Sequence, residues 1–249
     1  MELLEWDARS YDALPLPHKR WGPRTVGMLR LAGGETVADI GCGTGRDAEQ
    51  LLGLLPRGRV LAIDGSRQML AQLRTRLADD LDRVQIVPAD LRQPLPLPGG
   101  TADAVLSVAT LHWLPDHAPV FAEVARLLRP GGQFAAEAGG AGNIAAVRAA
   151  LTAMGADDGA AIWNFAGVAE TRARLGQAGF TGIDVRLVPD PARLAAGEQL
   201  EAFLATVVLG AHLREMPPEQ RQPFVRAVAQ RLPGPAVDYV RLQISATKA

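Results

Sequence analysis

Cysteine is almost absent from this sequence, and that scarcity removes whole classes of protein. Cys42 stands alone among 249 residues, so no disulfide within the sequence and no thiolate metal cluster can form. Lysine is nearly as scarce. Lys19 and Lys248 are the only two, and no Lys/Arg run marks a nucleic-acid arm or a membrane-surface patch. Net charge is lacking as well, at a formal −1 from 26 basic and 27 acidic side chains, which gives no long-range pull on a polyanion. No apolar run approaches the roughly 20 residues that span a bilayer, and the opening MELLEWDARS has no basic-then-apolar leader. The expectations that follow are no nucleic acid, no membrane, no metal and a cytoplasmic location.

What is present is a rhythm. TVADIG (36 to 41), RVLAID (59 to 64), VQIVPAD (84 to 90), ADAVLSVAT (102 to 110) and GQFAAEA (132 to 138) read as short strands bounded by Gly, Pro or Asp. Between them lie amphipathic segments at 46 to 55, at 66 to 79 with Ser66 as N-cap, and at 116 to 132, where Pro130 and its glycines end the helix. Strand and helix alternating at this spacing give parallel βαβ units and an α/β, doubly wound sheet. After residue 140 the pattern changes. Helices are expected over 141 to 155 and 167 to 180, a strand over 181 to 188 and a turn-rich joint over 189 to 197. A helix pair over 198 to 232, split by Pro217 and Pro218, precedes a closing strand over 239 to 248. With no internal repeat and 48% hydrophobic residues, one domain over 1–249 is expected: a helical lid at 1–31, a ligand-binding core at 32–140, and the remaining strands with cap helices at 141–249.

Open α/β sheets bind ligands beyond the carboxyl ends of their strands. VADIGCGTG (37 to 45) ends the first strand with Gly41, Gly43 and Gly45, where bare backbone can turn sharply and approach a ligand. A dinucleotide fingerprint would place a further glycine where Arg46 stands, which counts against nicotinamide cofactors. Asp64 ends the second strand, 19 positions after Gly45, where a carboxylate can accept both hydroxyls of a ribose. Asp90 ends the third. Acids at neighbouring strand ends suit an adenosine without a 5′ phosphate and tolerate a cationic ligand.

In these segments, together with LSVATLHWLPD and LLRPGGQF, the chain resembles the class I S-adenosylmethionine-dependent methyltransferases over about half of its length. The resemblance implies a Rossmann-like, seven-stranded, mostly parallel sheet of order 3-2-1-4-5-7-6 with helical cap insertions. It implies S-adenosyl-L-methionine as cofactor, with S-adenosyl-L-homocysteine as product. By the same resemblance Asp39 and the loop Gly41, Cys42, Gly43 and Gly45 hold the methionine end, and Asp64 holds the ribose beside Gly65 and Met69. Asp90 and Leu91 meet the adenine edge, while Ser107, Val108 and Ala109 pass under the sulfonium. LHWLPDH, WDARSY and the late helices look like the trans-aconitate methyltransferase group, which esterifies small carboxylic acids. Residues 139 to 171 are shorter and richer in alanine than that group's pattern, so a different acceptor pocket is expected.

Around the acceptor, Trp6 and Tyr11 either form a lid or pack the first helix onto the core. His112 and Trp113 follow the fourth strand, and His112 is either a general base or a loop imidazole. Arg24 and Arg172 either anchor an acceptor carboxylate or make surface ion pairs. Cys42 reads as a small filler without a nucleophilic role. The expected activity is O-methylation of a small carboxylic acid by a monomer or homodimer. The alternatives are base-assisted O-, N- or C-methylation of a small metabolite and a non-catalytic adenosyl-binding module.

Overall fold

Seven strands form the central sheet, and their register explains why so few polar residues interrupt them. The computed structural model describes residues 18–249, with side chains given from Arg20 onward. Trp6, Tyr11 and most of the expected lid lie outside the described residues.

The described residues begin with α1 (His18–Val26), then β1 (Thr36–Ile40), α2 (Arg46–Leu54), β2 (Arg59–Asp64), α3 (Arg67–Arg76), β3 (Val84–Pro88) and β4 (Ala102–Val108). It continues through α4 (Ala118–Leu127), β5 (Leu128–Gly139), α5 (Ala145–Ala153), α6 (Val168–Gln177) and β6 (Phe180–Pro189). Two-residue strands β7 (Ala192–Arg193) and β8 (Ala236–Val237) pair as a small separate ribbon. They flank α7 (Glu198–Phe203), α8 (Gly210–Arg214) and α9 (Pro218–Ala229), and β9 (Val240–Lys248) ends the chain.

The sheet order is β3-β2-β1-β4-β5-β9-β6. Discounting the ribbon, that is the expected 3-2-1-4-5-7-6. Strands β1 to β5 are parallel, whereas β9 lies antiparallel between β5 and β6. Parallel strands are covered on both faces and must be apolar on both. Val37, Val60, Ala62 and Leu106 accordingly face α1, α2 and α3, while Ile40, Leu61, Ile63 and Val105 face α4 and α6. Trp21 on α1 is 1% exposed, so this helix is part of the core. Among the described residues no helix is long and apolar enough to cross a membrane.

Two elements depart from the sequence reading. The helix expected over 116 to 132 stops at Leu127, and Leu128 is already extended, with φ −72° and ψ 138°. Pro130 disfavours a helical Arg129, and RPGG is absorbed as a register shift between Ala102 and Ala104 on β4. The helix expected over 198 to 216 is broken into α7, a π turn at Leu204–Val208, and α8. A π turn re-aims the side chains that follow it, and here those residues roof the cavity. Ser66 caps α3 as expected, accepting from Met69 N–H at 3.2 Å.

Candidate active site

The carboxyl ends of β1, β2, β4 and β5 open into one cavity of about 1050 Å³, closed above by the π turn and α8. That volume is at the upper end of small-molecule pockets, enough for a cofactor and an acceptor together.

On the β1 to β3 side, Gly41, Gly43, Asp64, Gly65, Met69, Asp90 and Leu91 line the wall. Gly43 has φ +51°, and a Cβ there would meet nothing within 4 Å, so its bare backbone faces open space. The other two glycines, at φ +74° and +83°, are bare for a second reason as well. A Cβ on Gly41 would strike Thr110, and one on Gly45 would come within 2.8 Å of Leu73 Cγ. Their lack of a side chain serves packing inside the loop. Asp64 accepts from Gly43 N–H at 2.9 Å and from Ser66 N–H at 2.8 Å, which fixes its carboxylate between the glycine loop and the next helix.

Asp39, Cys42, Gly45 and Ser107 do not reach the wall. Ser107 Oγ donates to Ile40 O at 3.0 Å and ties β4 to β1. Asp39 is 1% exposed, and its Oδ2 has no hydrogen-bond partner among the described residues. Burial, reinforced by the charges of Asp47 and Asp64, pushes its carboxyl well above the usual range. Burial likewise raises Asp47 to about 6. The Cys42 thiol is pushed up by burial and by Asp39, which keeps it protonated.

Asp90 carries a partner that the sequence reading did not foresee. Arg92 forks onto it with contacts of 2.7 to 3.0 Å and holds its carboxyl below the ordinary range.

The acceptor side begins at Ala109, with φ +56°, and includes Ile144, with φ +48°. Both non-glycine residues at positive φ among the described residues lie on this wall, a location where backbone strain is commonly stored. From there an aromatic shelf runs from His112 through Phe165 (6.1 Å between ring centroids) and Trp163 (5.8 Å) to His212 (5.6 Å). Trp113 packs on His112 at 5.0 Å. Phe165, Trp163 and His212 were missed because they stand in the alanine-rich segment and a late helix, without any motif spacing.

Geometry bears on two expectations about this side. His112 Nδ1 accepts the Gly139 N–H at 3.3 Å. A neutral imidazole has one lone-pair nitrogen, so this contact puts the ring proton on Nε2. Arg24 and Arg172 do not line the cavity. Arg24 is committed to Glu137 at 2.6 and 2.9 Å and to Asp190 at 3.0 Å, and Arg172 donates to Ile183 O on the outer face of α6. The buried cation on the wall is Arg241, 1% exposed, with its guanidinium 3.7 Å from the centre of the Trp21 ring.

Residues 38–136 match the family model described as a methyltransferase domain. That segment is a methyltransferase domain, and the sheet order is that of the class I methyltransferase fold. More particularly, the chain is 34% identical over 130 residues to trans-aconitate 2-methyltransferase from Azoarcus sp. (strain BH72), covering 52% of this chain and 49% of that protein. It spans about half the length of the curated relatives it matches. Among solved structures it is similar to the YcgJ protein of Bacillus subtilis, with a TM-score of 0.68 at 15% identity over 93% of this chain and 99% of that one. It is also similar to Haemonchus contortus phosphoethanolamine N-methyltransferase 2 in complex with S-adenosyl-L-methionine. There the TM-score is 0.63 at 17% identity, over 91% of this chain and 52% of that one.

Proposed function

We propose that this protein is an S-adenosylmethionine-dependent methyltransferase that O-methylates a small carboxylic acid. The observation that carries the reading is one continuous cavity, with Gly43 and Asp64 at one end and the aromatic shelf with Arg241 at the other.

The residues fit the cofactor. The open space beside Gly43 is a cradle that a side chain would fill. Asp39 Oδ2 is a buried oxygen without a hydrogen-bond partner among the described residues, in an acidic cluster that a ligand's ammonium would offset. In this reading Gly41 and Gly43 hold the methionine end over Asp39, with Cys42 and Gly45 shaping the loop. Asp64, Gly65 and Met69 take the ribose, and Asp90 and Leu91 take the adenine edge, with Arg92 yielding part of Asp90. Ser107, Val108 and Ala109 bring the end of β4 beneath the sulfur. When bound, the cofactor supplies an electrophilic methyl group on a positively charged sulfur.

The work left to the chain is to hold an oxygen in line with that methyl and to keep water out. A carboxylate, with a pKa of about 4, is already ionised at neutral pH and needs no base. The trans-aconitate 2-methyltransferase relative supports an acid acceptor.

The test is S-adenosylhomocysteine release across small carboxylic acids, phenols and amines. Acids alone should be turned over, at a rate nearly flat between about pH 6 and 9. A base-assisted reading rests on His212. Its Nε2 meets Asp157 O at 2.9 Å, and its Nδ1 lacks a hydrogen-bond partner among the described residues. Preference for a phenol or amine, with a rate rising through an imidazole pKa and lost in His212→Phe, would replace the carboxylic-acid reading.

A further inference from the structure

We propose that Arg241 forms the subsite that grips an acceptor carboxylate. For turnover the proposal rests on the reading above. For binding it stands separately.

The argument is one of charge and donors. Arg20, Arg24 and Arg241 share two carboxylates, Glu137 and Asp190. Arg24 takes both oxygens of Glu137 at 2.6 and 2.9 Å, and Arg20, Trp21 and Arg24 take Asp190 at 2.7 to 3.2 Å. Arg241 is left with longer contacts, 3.3 Å to Glu137 Oε1 and 3.4 Å to Glu137 O. Its Nη1 makes no hydrogen bond among the described residues. Arg20 and Arg24 are 52% and 34% exposed and therefore hydrated, whereas Arg241 is 1% exposed. The surplus positive charge is thus concentrated on the least hydrated of the three guanidiniums, and a buried cation with incomplete pairing is costly until an anion joins it. Trp21 holds the guanidinium by its face, 3.7 Å from the ring centre.

The other arginines on the wall fit the role less well, since Arg92 is forked onto Asp90 and Arg214 is exposed at the rim.

The probe is trans-aconitate, titrated calorimetrically into the protein saturated with S-adenosylhomocysteine, with its uncharged trimethyl ester as control. Arg241→Gln should weaken trans-aconitate binding by about 30-fold, within the range for losing a charged hydrogen bond, and should leave S-adenosylhomocysteine affinity unchanged. Glu137 keeps Arg24 and Gln243 in that variant. Should it nonetheless fail to fold, Arg241→Lys, which keeps the charge without the fork, should lose about fivefold and decides the matter. The proposal is overturned if wild type binds no acid, if it binds the ester equally well, or if both Arg241 variants bind normally. If wild type binds acids through Arg241 but turns none over, the subsite stands and the carboxylic-acid activity falls. If it turns them over and Arg241→Gln raises KM at unchanged kcat, both stand.

Discussion

The two ends of the cavity are built in opposite ways. At the β1 to β3 end, residues within a few positions of a strand terminus do the work, and backbone N–H groups orient the key carboxylate, as with Gly43 and Ser66 on Asp64. At the acceptor end, the elements come from α1, the segment after β5, the π turn and the last strand, and side chains orient one another through rings and ion pairs. The first arrangement is local and depends on backbone shape. The second is long-range, so removing one member releases several others. The lesson is that a bare backbone fails by steric intrusion, while a charge network fails by leaving a buried ion unpaired.

The sharpest test of the first half is Gly43→Val. The added branch points into open space at φ +51°, so cofactor binding should be lost by about 100-fold or more in calorimetry while circular dichroism keeps a folded spectrum. Tight binding by that variant would break the contrast. The matching blow to the second half is Arg24→Ala. It removes the main partner of Glu137, which is fully buried, and should cost stability toward the lower end of roughly 3 to 5 kcal/mol because Arg241 and Gln243 remain. Urea unfolding measures it. Asp64→Ala should weaken cofactor binding by about 1.5 to 3 kcal/mol with little change in melting temperature. An unchanged affinity would remove Asp64 from the ribose position.

A smaller effect distinguishes the acidic cluster. Asp47 titrates near 6 in the folded protein because of burial, above the ordinary value of about 3.9. Between those values the native state holds a proton that the unfolded chain has released. Its contribution to stability is present below about pH 4 and is lost as pH rises through about 6. The melting temperature of wild type minus that of Asp47→Asn should therefore fall over this window without ligand. Bound cofactor, carrying an ammonium, should flatten the fall. Arg172→Ala sets the lower bound: a change within about 0.5 kcal/mol in stability and none in acceptor KM, as for an exposed side chain.

Legibility in the sequence followed the same division. Asp64, Asp90, Gly43 and His112 were visible because each lies at or just past a strand end, where chain position alone fixes place in the fold. Even there a second reason for Gly41 and Gly45 was not legible, since Thr110 and Leu73 press on them from elsewhere in the chain. The backbone N–H that His112 Nδ1 accepts was not legible either, because it belongs to Gly139, 27 residues further on.

By itself the sequence determined the strand and helix alternation, hence the parallel sheet, and the acids and glycines at its carboxyl edge. These follow from periodicity and from contacts only a few residues long. Only the tertiary structure decided which arginine faces the cavity. Arg24, Arg172 and Arg241 are equivalent as letters. Their difference lies in partners up to 166 residues away, as for Arg24 and Asp190, and in how completely each guanidinium is paired once water is excluded.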